Sequence, residues 1–249
     1  MGAVFYREIK AYFSSITAWT VIAAFLVVIN FFMMMAMNYY ADISATAMQG
    51  GTPCNVNVNF VPPMVQSTGL MLLFFLPVLT MFTFSQELRD GTLDLLFTYP
   101  ISDLDIVMGK FLAGMTVVVG MLALSALPYT FVAWHKCTIE LPVLIVGYCA
   151  LLLLAGSMVA MGMFFSSLTK YPLASVALTY CGALCLWFLA IPDQMAGYVT
   201  SVGKLSIMNH LQDMSKGVFN SQDVIYYAAL ITLFLYLTNL VLESRKWRG

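Results

Sequence analysis

Residues Ser85 to Gly114 read SQELRDGTLDLLFTYPISDLDIVMGKFLAG and set a charged, helix-competent insert between two long apolar runs. The insert holds the acids Glu87, Asp90, Asp94, Asp103 and Asp105 with Arg89 and Lys110, in a chain of which only 9% is charged. Such a concentration of charge predicts a cytoplasmic handle on a membrane protein. Leu88, Leu95 and Leu96 recur at helical spacing, and Gly91-Thr92 offers a bend after the first turn. Pro100 stops that helix; Ser102 and Asp105 form a capping box for the next, with Asp103 adding negative charge at its positive end. The second helix is expected to run straight into the following apolar run, so that a push on the insert tilts a span as a rigid body. A second reading stays open at this stage: a solvated loop whose charges only fix topology.

Outward from the insert, composition requires the membrane. A hydrophobic fraction of 61% and a mean hydropathy of +0.88 exceed what a soluble domain carries. The few charged residues could not cover the surface of a soluble 249-residue chain. The expectation is a single all-α integral membrane domain over residues 1–249. Its six transmembrane helices run from Ile16 to Met37, Ser67 to Phe84, Phe111 to Trp134, Leu141 to Phe165, Pro172 to Ile191 and Ser221 to Leu242. Pro77 and Pro128 should kink the second and third without ending them. With a cytoplasmic start, Arg7, Lys10, Arg89, Lys110, Lys170, Arg245, Lys246 and Arg248 fall inside, against Lys136, Lys204 and Lys216 outside. This bias puts both termini in the cytoplasm.

The first apolar run is too long for the core of a cleaved signal peptide. Before it, over residues 1–15, Val4, Phe5, Ile9, Tyr12 and Phe13 share one half of a helical wheel opposite Arg7 and Lys10. The pattern predicts an interfacial amphipathic helix with its basic face toward lipid headgroups; a frayed start to the first span is the other reading. Residues 192–220 form a long outer segment with apolar residues between polar ones, expected to fold back as short re-entrant or amphipathic helices. Lys204, His210, Asp213 and Lys216 there could meet a substrate or partner, or be solvated surface.

Polar membrane residues are sparse, with Asn30, Thr80, Thr179 and Asn239 the obvious ones, which argues against a proton relay. Small residues such as Gly156, Ala160, Gly162, Gly114 and Ala123 suit close helix contacts, within one subunit or with another. Cys149, Cys181 and Cys185 read as small apolar fillers in spans. Cys54 and Cys137 lie in outer loops, where a disulfide is chemically permitted. Met33, Met34, Met35 and Met37 with His135 admit a copper reading, but methionine in an apolar span is ordinarily packing, so no metal site is expected.

Several stretches resemble a known family. Gln86-Glu87-Leu88-Arg89-Asp90-Gly91-Thr92-Leu93-Asp94-Leu95-Leu96, then Tyr99-Pro100-Ile101-Ser102 and Val107-Met108-Gly109-Lys110-Phe111-Leu112, are similar to the signature of ABC-2 type transporter permeases. Gln86 stands where many relatives have a second acid. The opening Arg7-Glu8-Ile9-Lys10-Ala11-Tyr12-Phe13-Ser14-Ser15, the inner turn Phe164 to Thr169, and the closing Ser215 to Val218 and Leu242 to Trp247 resemble the gliding-motility-type branch.

The resemblance implies a non-catalytic permease in a bacterial inner membrane, driven by a separate ABC ATP-binding subunit. That subunit would dock on the coupling region 85–110, through Glu87, Arg89, Asp90, Gly91, Thr92, Leu93 and Ser102, and on the interfacial helix bearing Phe5, Arg7, Ile9, Lys10 and Phe13. A second permease copy or a homologous permease would complete the pathway, with membrane lipids around it and no nucleic acid. The alternative function is mechanotransmission to a large extracytoplasmic auxiliary protein. The sequence itself lacks a phosphate-cradling loop: Gly109-Lys110 has Leu104 where the first glycine is needed and Phe111 where Ser or Thr is needed. ATP is therefore expected to bind the partner, and no cofactor this chain.

Overall fold

The computed structural model describes residues 1–48, 60–92, 102–134, 140–191 and 203–246. Among them there is no strand. The helices are α1 (Gly2–Ser14), α2 (Ile16–Met48), α3 (Val61–Thr80), α4 (Ser85–Asp90), α5 (Asp103–Trp134), α6 (Leu141–Leu168), α7 (Pro172–Phe188), α8 (Ile207–Ser215) and α9 (Ser221–Lys246). A 3-10 turn, Gly203–Leu205, precedes α8. Cys54, Cys137 and Leu93 lie outside the described residues.

Among the described residues, five segments are long and apolar enough to cross a membrane: Ile16–Ile43, Val61–Asp90, Asp103–Tyr129, Leu141–Leu168 and Ser221–Lys246. The expected sixth is α7, a 17-residue helix that gives way to a turn at Leu189, where Ala190 N–H bonds the Trp187 carbonyl. At 1.5 Å per residue it is about 26 Å long, roughly a turn short of a hydrocarbon core. The second span also departs from expectation. It begins at Val61 rather than Ser67, with Pro62 in its first turn, where a missing N–H is harmless.

Pro77 and Pro128 differ in effect. The α5 helix runs through Pro128 to Trp134, whereas α3 ends at Thr80, one turn after Pro77, and residues 81–84 form turns before α4. Pro77 offers no N–H to the preceding turn, which loosens the helix there. A neighbouring helix supplies the missing partners. Ser166 Oγ on α6 accepts from both Phe84 and Ser85 N–H at 3.0 Å and donates to the Met81 carbonyl at 3.1 Å. One buried hydroxyl thus satisfies three backbone groups of the break.

The α6 helix is the axis of the bundle, packing on α3, α5, α7, α8 and α9. Its buried Ala150, Ala155, Gly156, Ser157, Ala160 and Gly162 let those neighbours come close. Gly156 faces Ile231 of α9, Gly114 of α5 faces Val159 of α6, and Gly162 abuts Thr80 of α3. These small residues therefore join helices within one chain. By contrast α2 and α9 leave much apolar surface outside, including Val27, Phe31, Ile225, Leu233 and Tyr236.

One sequence reading needs correction. Cys149, Cys181 and Cys185 are free thiols on the outside of the bundle, not fillers of its core. Met33 is buried while Met34 and Met35 point outward, so the three thioethers do not converge. Consecutive helical residues stand about 100° apart and cannot share a face.

Both ends of the chain meet at one end of the bundle. The Met1 amine lies 3.6 Å from Asp105, Lys246 Nζ lies 3.8 Å from Asp103, and Arg245 donates to the Ser167 carbonyl at 3.0 Å. This terminal end holds α1, α4, the start of α5 and the end of α6. The opposite, distal end holds the 3-10 turn, α8 and the start of α9.

Candidate coupling site

The α4 helix is held by a lysine that α5 carries. Lys110 sits two turns into α5 with its side chain only 2% exposed. Its ammonium has three donors and meets three acceptors: Glu8 Oε1 at 3.1 Å, Glu87 Oε1 at 3.1 Å and the Thr83 carbonyl at 2.8 Å. The Phe84 ring closes the fourth side, its centroid 5.0 Å from Nζ. Arg7 adds a 2.6 Å bond to Glu87 Oε1 and stands 3.7 Å from Glu8. Two carboxylates thus face two cations, of which Lys110 is dry and Arg7 is exposed. Removing Lys110 costs about 3–5 kcal/mol, because the two carboxylates stay largely buried without it.

Three chain segments meet in this knot. Glu8 and Arg7 come from α1, Thr83 and Glu87 from the α3 break and α4, and Lys110 from α5. Gly109 makes the crossing possible: a Cβ there would stand 3.1 Å from the Val4 side chain and 3.4 Å from the Met1 carbonyl. Glycine lets α1 lie directly on α5 beside the lysine. The packed face of α1 is Val4, Glu8 and Tyr12, the last bonded to the Thr83 side chain. Burial pushes the Tyr12 phenol up to about 12, against the lowering effect of the Thr83 bond and with a further rise from the Glu8 charge.

The interfacial-helix residues divide accordingly. Phe5 and Ile9 are half-buried, while Lys10 and Phe13 are exposed. Arg7 donates to Glu87 at 2.6 Å while 57% of its side chain stays exposed.

The insert residues divide too. Glu87 faces inward, 14% exposed, and its Oε2 has no hydrogen-bond partner among the described residues. Arg89 and Asp90 face outward and pair with each other at 3.3 Å. Gly91 caps α4 in the left-handed region at φ 68°, and the N–H groups of Gly91 and Thr92 both reach the Glu87 carbonyl. Leu88 anchors the helix in the core. Ser102 caps α5: its Oγ accepts from Asp105 N–H at 3.2 Å and donates to the Asp105 carboxylate at 2.6 Å. That bond, with the nearby Met1 amine, holds the Asp105 carboxyl below its ordinary range. From this cap α5 is one continuous helix through the third span. A crevice of about 530 Å³ separates α1 from α4, with Arg7, Glu87, Arg89 and Asp90 on its walls and Val21 and Val78 among its apolar lining.

Sequence reasoning missed Glu8, Thr83 and Ser166 as members of the site; it set Tyr12 on the interfacial helix and Lys110 in the charged insert without a partner for either. The available clue was electrostatic. A lysine directly before an apolar run, on a helix already capped at Ser102, lies too far into the helix for a solvated end and needs a buried partner.

At the distal end α8 folds over the bundle, with Ile207, Leu211 and Met214 fully buried. Ser206 caps it, accepting from Met208 N–H at 3.2 Å. Of the four polar residues expected to meet a substrate or partner, Asp213 and Lys216 form an exposed pair at 3.9 Å and Lys204 is exposed. His210 instead turns inward to Asp223 and the Lys204 carbonyl.

No match was found among curated proteins. A family model described as ABC-2 family transporter protein matches residues 3–246, nearly the whole chain. With its long apolar helices, its charged junction at the end that gathers both termini, and that match, the chain belongs to the ABC-2 transporter family as a multi-pass membrane permease subunit.

Proposed function

We propose that this permease is driven by a separate ABC ATP-binding subunit through the terminal end of the bundle, and that it moves a substrate across a bacterial inner membrane. Family membership implies such a partner. The observation that carries the reading is the Lys110 knot, which ties α1, α4 and the head of α5 into one unit whose third member continues into a span. A push on α4 has a stiff route into the membrane.

In this reading the partner grips the outward Arg89 and Asp90 and the exposed side of α1, while Glu87 and Lys110 carry the motion inward. Six spans complete the subunit, with α7 the shortest. The terminal end faces the cytoplasm because the described Arg7, Lys10, Arg89, Lys110, Lys170, Arg245 and Lys246 belong to segments at that end, against Lys204 and Lys216 at the other. The exposed apolar sides of α2 and α9 suit lipid or a second permease copy. The opening and closing residues support placement in the gliding-motility-type branch.

Copurification tests the docking half. Arg89→Glu should lose the ATP-binding subunit through reversed electrostatic complementarity, with stability changed by no more than about 0.5 kcal/mol because the residue is exposed. Full retention of the partner and of ATPase activity would return the insert to a solvated topology loop.

A further inference from the structure

Both nitrogens of the His210 ring face oxygens. Nε2 lies 2.9 Å from the Lys204 carbonyl and Nδ1 lies 2.5 Å from Asp223 Oδ1. A backbone carbonyl only accepts, so Nε2 carries a hydrogen. A neutral ring then presents a bare lone pair at Nδ1 to a carboxylate oxygen, and two lone pairs at that distance repel. The contact closes only with one further proton in it, as imidazolium with carboxylate or as imidazole with carboxylic acid. In either form the pair has no net charge.

The surroundings make the extra proton matter. The Asp223 side chain is 3% exposed and its Oδ2 has no hydrogen-bond partner among the described residues. Loss of the proton would leave a net negative charge in that setting, which is costly. Asp223 lies in the first turn of α9. Tyr226 stacks on the ring at 4.1 Å and Tyr227 presents an edge at 6.3 Å. Their hydroxyls donate to the Leu205 carbonyl at 2.6 Å and the Ile207 carbonyl at 3.1 Å. The helices α3, α6 and α7, which also pack on α8, contain no Asp, Glu, Lys, Arg or His. On α8 itself Asp213 is exposed with Lys216, and the Lys204 side chain is exposed on the turn before it.

We propose that His210 and Asp223 form a proton-binding latch: one bound proton holds the 3-10 turn and α8 on the first turn of α9, and its loss at raised pH releases them. The proton passes to water from the Nδ1–Oδ1 contact and no other bond changes. With the orientation proposed above, the latch reads the pH of the extracytoplasmic side.

Hydrogen exchange of the full-length chain in lipid nanodiscs tests this. Across a titration from about pH 5 to about pH 10, amides of residues 204–212 should quicken about tenfold in one step beyond their chemical pH dependence. Asp223→Asn supplies an amide N–H to Nδ1 of a neutral ring, so these amides should stay slow and show no step. His210→Ala should be fast throughout. A wild type without a step, or a step of the same size in Asp223→Asn, overturns the latch.

Discussion

At the terminal end Glu8 and Glu87 meet Lys110 and Arg7; at the distal end Asp223 meets His210. Both contacts set a largely buried carboxylate beside a basic side chain, but the first joins residues up to 102 apart in sequence and the second residues 13 apart on consecutive helices. Their chemistry differs in one respect. Lysine and arginine keep their charge across the physiological range, whereas histidine changes its own within it. The first contact is therefore insensitive to pH in that range, whereas the second is the one on which the proposed latch rests.

The largest expected effect comes from breaking the permanent contact. Lys110→Ala should destabilise the chain by about 3–5 kcal/mol, read by thermal unfolding in detergent, because Glu8 and Glu87 stay buried without it. The triple variant Glu8→Gln, Glu87→Gln, Lys110→Met should regain most of that stability, since no charge is left unpaired except the exposed Arg7. A single variant as stable as wild type would remove the distinction between the two ends.

Ser166→Ala probes the support beneath the knot. It leaves the N–H groups of Phe84 and Ser85 buried without an acceptor and should cost about 1–3 kcal/mol in the same assay. An unchanged melting temperature would mean that another acceptor moves in.

Gly91→Val sharpens the comparison within the terminal end, because nothing lies within 4 Å of the position where its Cβ would stand. The cost is then backbone strain alone at φ 68°, about 1–2 kcal/mol, and it should fall on α4 rather than on the bundle. Proteolysis within residues 85–92 should accelerate while global unfolding stays near wild type.

The smallest effect at neutral pH belongs to Tyr12. Its folded-state pKa of about 12 lies above the ordinary 10, so its contribution is fully present below about pH 10 and is lost as pH rises toward 12. Alkaline titration should release α1 over that window, and Tyr12→Phe should abolish the window. A release that persists in Tyr12→Phe assigns it to another group.

Much of the architecture was legible in the residues. The spans follow from apolar runs, the cap of α5 from Ser102 and Asp105, and its continuity from the absence of proline between Asp103 and Phe111. These are local rules, and the contacts they describe lie within a few residues. The boundaries of the second span were less legible. Its start depends on prolines tolerated in a first turn, and its end on whether Pro77 finds a neighbour to satisfy the groups it frees.

The site was legible only in part. Gly91 and Ser102 were readable because each acts on its own backbone. Which face of α4 turns inward was not, since Glu87, Arg89 and Asp90 are all charged and differ only in what lies opposite. Likewise His210 reads as an exposed polar residue until Asp223 is brought beside it.

By itself the sequence determined that this chain lives in a membrane, that its helices are those its apolar runs define, and that one charged insert interrupts them. Hydrophobicity, helical period and capping are properties of short stretches, so a linear string contains them. Only the tertiary structure decided that Lys110, 102 residues from Glu8, would meet its carboxylate, and that His210 would lie against Asp223. A buried charge is tolerated only beside its partner. Helix packing chooses that partner, through the close approach at Gly109 and the fold of α8 over the bundle.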